Sequence, residues 1–145
     1  MDLELSVIDY SSPYYENVLH LRNEVLRKPL GLNLFDEYLI EDRDQYIVIA
    51  LDENRVVACL MLKILDKDTV KLRQMAVHTS MQKRGFGAML VRYAENFCIL
   101  NEYLIIELHA RKEAIGFYEK LGYQVVGDEF EEVGIKHFKM VKKLV

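Results

Sequence analysis

The sequence predicts an α/β fold: one mixed, mostly antiparallel sheet carrying helices on both faces. Three observations predict it. Apolar segments of period two, rich in β-branched residues, recur along the chain. Segments of helical period interrupt them, so that strands stand on both sides of helices. The 145 residues, 51% apolar and 29% charged, are enough for one core, with no repeat, low-complexity stretch or Pro/Gly/Ser-rich linker to divide it. Residues 1–145 are therefore read as one domain.

In chain order, Leu3, Leu5 and Val7 alternate with polar residues as in a half-buried strand. Ser11, Ser12 and Pro13 open a helix that runs to about Arg27, and Pro29 and Gly31 end it. Residues 32–44 have a weaker helical pattern that fits helix or loop. Residues 46–51 and 55–65, joined by Asp52-Glu53-Asn54, read as a hairpin. A turn at 66–68 leads into a strand over 69–77, and a loop over 78–84 delivers the chain to a helix starting near Gly85. That helix carries Phe86, Met89, Leu90, Tyr93, Ala94 and Phe97 at spacings of three and four, a broad apolar face for a sheet. Residues 103–110 read as a buried strand. A short helix over 113–121 stops at Gly122, and two strands over 123–130 and 136–143 follow. The strand, helix and strand between Val70 and Ala110 predict a right-handed parallel crossover, whose loops are the usual place for a ligand.

Composition narrows the function classes. Nineteen basic against 23 acidic side chains, a net charge of -4, argue against a general affinity for nucleic acid, so any anion site must be local. Cys59 and Cys98 form no Cys-x-x-Cys pair and have no matching histidine spacing; they read as reduced core thiols, with no metal expected. The opening MDLELSVIDY is acidic where a signal peptide would be basic and lacks a long apolar run, which predicts a cytoplasmic address and no membrane association.

The most informative segment is Gln82-Lys83-Arg84-Gly85-Phe86-Gly87, between a strand and an amphipathic helix. Glycines let backbone approach a ligand, and the free N–H groups and dipole of a first helical turn favour an anion. With Lys83 and Arg84 beside them, these groups outline a diphosphate site. A Walker loop would need a Gly-Lys-Ser/Thr ending, and a dinucleotide fingerprint a third glycine where Leu90 stands. On the loop alone, the glycines could equally just shape a tight turn and the cations be solvated.

Two further segments decide. With Leu72-Arg73-Gln74-Met75-Ala76-Val77-His78 before the loop and Ala114-Ile115-Gly116-Phe117-Tyr118-Glu119-Lys120-Leu121-Gly122-Tyr123 after it, the chain resembles the GNAT superfamily of N-acetyltransferases. The likeness covers roughly residues 70–126 in family order. It implies the GNAT-like acyl-CoA N-acyltransferase fold, acetyl-CoA as co-substrate bound by residues 82–88 (Gln82, Lys83, Arg84, Gly85, Phe86, Gly87 and Ala88), and a primary amine of a small molecule, peptide or protein as acceptor. It places the pantetheine arm and thioester along Met75, Ala76 and Val77, through the backbone N–H groups of Met75 and Val77. It also puts Tyr118 in the slot of the tyrosine that serves the CoA sulfur; the phenol's ordinary pKa near 10 suits a thiolate partner. Relatives often form homodimers through the final strands.

Where many relatives carry an asparagine, this chain has Arg111, available to an acidic substrate, a phosphate or the solvent. Glu107 and His109 share one face of a strand, and either could take the ammonium proton, directly or through water. A polar residue beside a sheet's splayed centre is often structural, and that role is open for each. His78 is expected at a strand end, His20 on a helix surface, and His137 on the last strands within reach of the site. The basic side formed by Lys136, Lys139, Lys142 and Lys143 reads as a solvated strand edge. A non-catalytic acyl-CoA sensor, or an interaction module with an empty loop, would keep the same fold.

Overall fold

The computed structural model describes residues 2–145. Seven strands form one sheet in the order β1-β2-β3-β4-β5-β7-β6. They are β1 (Glu4–Ile8), β2 (Gln45–Asp52), β3 (Arg55–Ile64), β4 (Thr69–Val77), β5 (Ile105–Arg111), β6 (Gln124–Glu132) and β7 (Ile135–Lys143), and the helices are α1 (Tyr15–Arg22), α2 (Phe86–Leu100) and α3 (Ile115–Lys120). Only β4 and β5 run parallel, as the expected crossover requires; every other neighbouring pair is antiparallel. The β2–β3 hairpin closes on Glu53 and Asn54, both with positive φ, the backbone that matches the twist of its strands.

The sheet has a core on each face. Leu60, Leu62, Leu72, Leu90, Leu108 and Tyr123 pack on the face covered by α2 and α3. Val18, Leu21, Ile47, Ile49, Met61 and Ala76 pack on the other, under α1. Each fully buried aliphatic side chain stabilises by about 1.5–3 kcal/mol. In α2 the deepest positions are Leu90, Val91, Ala94 and Cys98, while Phe86, Met89, Tyr93 and Phe97 flank them half-buried. The buried stripe is thus turned slightly from the expected one. Cys59 and Cys98 are both buried and unpaired. Among the described residues no helix is long and apolar enough to cross a membrane.

Two elements depart from expectation. The first helix is regular only to Arg22 and continues as a π turn over Asn23–Arg27, before Gly31 ends the segment in a left-handed conformation. Residues 32–44 resolve into 3-10 turns at Leu34–Asp36 and Ile40–Asp44. Long-range polar bonds hold these turns: Asn23 Oδ1 accepts the Leu34 N–H at 2.8 Å, and Asp42 accepts from Tyr15 at 2.6 Å and Arg22 at 2.9 Å.

One irregularity opens the sheet. Cys59 faces Ala76 and Met61 faces Arg73, so Leu60 stands opposite both Gln74 and Met75. This is a β-bulge, and Gln74 carries its strain at φ 53°. Before it, Thr69 to Leu72 pair with Ile105 to Leu108; beyond Leu72 the two parallel strands separate. The bulge bends β4 away from β5 and leaves a V-shaped opening in the middle of the sheet.

Candidate active site

The V begins at the loop that follows β4. Gln82 donates its side-chain N–H to the Val77 carbonyl at 2.9 Å, and Met81, 4% exposed, anchors the turn in the core. Gly85, at φ 82° and ψ 3°, caps α2, and a Cβ there would meet nothing within 4 Å. What this position demands is the left-handed backbone. A Cβ on Gly87 would instead stand 3.4 Å from the Phe117 ring and 3.8 Å from Val77, so loop, strand and α3 converge there. Met89 makes the first bond back into the turn, to the Gly85 carbonyl at 3.1 Å, leaving the N–H groups of Phe86, Gly87 and Ala88 ahead of it. Lys83, at φ 62°, and Arg84 are exposed beside them. This is an anion-ready helix start on the α2 side of the sheet.

His78 donates its backbone N–H to Val57 on β3 at 2.8 Å, so the N–H of Val77, one residue earlier, faces the open side of β4 by alternation, and that of Met75 with it. The Ala76 side chain lies in the α1-side core, 1% exposed. A cavity of about 550 Å³ fills the V. Met75, Leu72, Leu108, Ala110, Ala114 and Tyr118 line its deeper wall, and Arg27, Lys71, Arg73, His109, Glu132 and His137 the wall toward α1.

Tyr118 is 7% exposed, packed edge-on against Phe117 and Tyr123 at 4.9 and 5.8 Å. Burial pushes its phenol up to about 12. Among the described residues its hydroxyl has no hydrogen-bond partner, while the residue borders the cavity. His109 Nδ1 lies 3.3 Å from Glu132 Oε2, with Phe130 at 4.9 Å. Burial, and then the charge of Lys71, hold the imidazole below its ordinary pKa, against the pull of Glu132. The site thus holds a protonated phenol and a neutral imidazole on one space, beside a loop suited to a diphosphate.

The family model of the acetyltransferase (GNAT) domain matches residues 11–144. The chain belongs to the GNAT family. It is 32% identical to YyaT of Bacillus subtilis (strain 168) over 111 residues, 76% of this chain and 74% of YyaT. Among solved structures, it superposes on the aminoglycoside 6'-N-acetyltransferase of Enterococcus faecium with a TM-score of 0.77 at 19% identity, covering 98% and 97% of the two chains. A GNAT acetyltransferase from Elizabethkingia anophelis with acetyl-CoA bound gives 0.70 at 18% identity, with 97% of each chain covered.

The GNAT fold brings together Met75, Val77, Gly87, His109, Arg111 and Tyr118, which are far apart in sequence. It does not bring Glu107 to the cavity: that carboxylate is 15% exposed and bonded to Lys139 at 2.8 Å. His78 is a cap, its Nδ1 3.1 Å from the Ser80 N–H, and His20 packs at a tilt against Phe35 at the surface. His137 does reach the cavity; its Nδ1 donates to the Ile135 carbonyl at 2.8 Å, which leaves Nε2 3.9 Å from Glu132. Lys142 is no solvated edge cation, since it bonds Glu95 at 3.1 Å and the Leu121 carbonyl at 2.7 Å, while Tyr123 holds the same carboxylate at 2.8 Å.

Arg27, Lys71, Arg73 and Glu132 escaped the sequence reading. Arg27 read as the last turn of a helix, yet the π turn swings it to Glu37 at 2.6 Å and to Gln74, the bulge residue, at 3.1 Å. The charged alternation at Lys71 and Arg73, inside a strand with Val70, Leu72, Met75, Ala76 and Val77, was the one signal that could have marked that face.

Proposed function

We propose that this GNAT chain transfers an acetyl group from acetyl-CoA to the primary amine of a small molecule, peptide or protein. One observation carries the reading: the open edge of β4 leads from the helix start at Gly85 to a cavity shared by the partnerless Tyr118 hydroxyl and His109. The residues present fit the donor. Three backbone N–H groups, Lys83 and Arg84 suit its diphosphate, and the unpaired edge of β4 suits the amides of its pantetheine arm. The relative solved with acetyl-CoA bound supports the same donor at the level of the shared fold.

Acetyl-CoA supplies an activated thioester carbonyl. The N–H groups of Met75 and Val77 stabilise negative charge on its oxygen. His109, neutral at pH 7, takes a proton from the acceptor's ammonium, so that the amine lone pair can form the new C–N bond. Tyr118 gives its proton to the sulfur as the C–S bond breaks; the second proton, which the acceptor nitrogen sheds as it becomes the amide, restores the phenol through solvent, and His109 returns its own proton to water. Glu132 orients His109 through Nδ1 and keeps Nε2 for the substrate. A half-buried base of this kind supports an enzyme rather than a CoA sensor. The buried, unpaired Cys59 and Cys98 support a cytoplasmic setting.

Calorimetric titration with acetyl-CoA, beside Gly85→Ala, tests the donor site. Holding a Cβ in the left-handed region costs roughly 1–2 kcal/mol, so the free loop of the variant should relax out of the shape that binds and affinity should fall about tenfold. Release of CoA thiol on adding amines tests turnover. A natural protein that does not bind acetyl-CoA would remove the enzyme reading.

A further inference from the structure

The wall of the cavity toward α1 has a charge opposite to that of the whole chain. Four cationic side chains, Arg27, Lys71, Arg73 and Arg111, line the cavity against one carboxylate, Glu132, in a protein of net charge -4. Glu37 neutralises Arg27 at 2.6 Å, which leaves Lys71, Arg73 and Arg111. Among the described residues none of these three forms a salt bridge. Arg73 donates to the neutral Gln45 side chain at 3.1 Å, a partner that brings no opposite charge. Lys71 is half-buried, and burial lowers its pKa while Glu132 and Glu107 partly offset the loss. Three cations without a salt-bridge partner, and with only Glu132 among them, are costly in a partly dry cleft unless something anionic arrives to share them.

Their position separates them from the donor's phosphates. Val70 and Leu72 point into the core under α2, so Lys71 and Arg73 point to the α1 face, as do His109 and Arg111, which alternate with the buried Leu108 and Ala110. The helix start at Gly85 lies on the α2 side. The cations therefore share a face with the base, on the side from which an amine would approach.

Resting on the donor reading above, we propose that the acceptor is a small primary amine that also carries an anionic group, a carboxylate or a phosphate, held by Lys71 and Arg73 with Arg111 beside them while the amine is deprotonated at His109. A polycation such as an aminoglycoside or polyamine would bring its further ammonium groups against these three charges and be repelled.

The test measures initial rates of CoA release at saturating acetyl-CoA with glutamate, O-phosphoethanolamine, ethanolamine (which lacks an anionic group), spermidine and kanamycin, at low and at physiological salt. We expect kcat/KM at least tenfold higher for glutamate or O-phosphoethanolamine than for the other three, with the better of the two naming the anion. Lys71→Met and Arg73→Met should each raise KM for that amine about tenfold, with the acetyl-CoA dissociation constant unchanged; Lys71→Arg should restore it. Equal or faster turnover of spermidine or kanamycin overturns the proposal and leaves the donor reading intact. Loss of acetyl-CoA binding in the two Met variants overturns it too, by assigning these cations to the donor. A natural protein that binds no acetyl-CoA fails the donor reading first, and this one with it.

Discussion

In the proposed reaction Tyr118 and His109 divide the proton traffic, and their surroundings push each in a useful direction. Burial keeps the phenol protonated, and burial with Lys71 keeps the imidazole neutral. Tyr118→Phe should lower kcat roughly 100-fold, the usual scale for a general acid, while leaving acetyl-CoA affinity unchanged. Because the hydroxyl has no protein partner, the melting temperature should barely move; a variant that keeps most of its kcat would dismiss Tyr118 as the acid. For His109, protonation removes the base. With its pKa held below 6.5, kcat/KM should be flat across neutral pH and fall only below that value. In His109→Gln the acid limb should vanish with most of the rate, and a limb that persists would rule out His109 as its source. The sequence indicated both residues, Tyr118 by resemblance and His109 by strand alternation. It could not separate His109 from Glu107, which has the same alternation, because only the packing of β7 puts Lys139 against Glu107.

Among elements, the bulged β4 and the π turn after α1 are the least legible and the most consequential. A bulge is a mismatch between two strands, and nothing inside residues 69–77 reveals which positions of β3 they face. Nor does the apolar pattern of the first helix show that its last turn widens, although that widening carries Arg27 to Gln74. The segment over residues 40–44 is held by Asp42, whose carboxylate is 5% exposed and bonded by Arg22 and Tyr15. Asp42→Ala leaves the Arg22 charge buried and unmatched, and Arg22 Nε already lacks a partner. Such a loss costs roughly 3–5 kcal/mol, which for a chain of this size lowers the melting temperature by about 10 °C. Calorimetry that finds a drop of only a degree or two would show the cluster to be dispensable.

At the scale of the whole molecule, the groups that burial holds neutral should shape stability at high pH. Cys59, Cys98 and Tyr118 are each pushed up to about 12, and Tyr15 and Tyr123 are also raised. Unfolded, these thiols ionise near 9 and the phenols near 10. Above those values the unfolded state sheds protons that the folded state keeps, so stability, complete below about pH 9, should be lost progressively as pH rises toward 12. A melting temperature unchanged from pH 8 to 11 would contradict this. The sequence by itself determined the order of elements, the boundaries of β4, the loop at Gly85 and the short helix bearing Tyr118, because these follow from period, glycine placement and local turn chemistry. Only the tertiary structure decided where β4 leaves β5, which face carries His109, and that Lys71, Arg73 and Arg111 line one cavity without a salt bridge. Those facts depend on register and on pairs of residues distant along the chain, and local pattern holds no information about either.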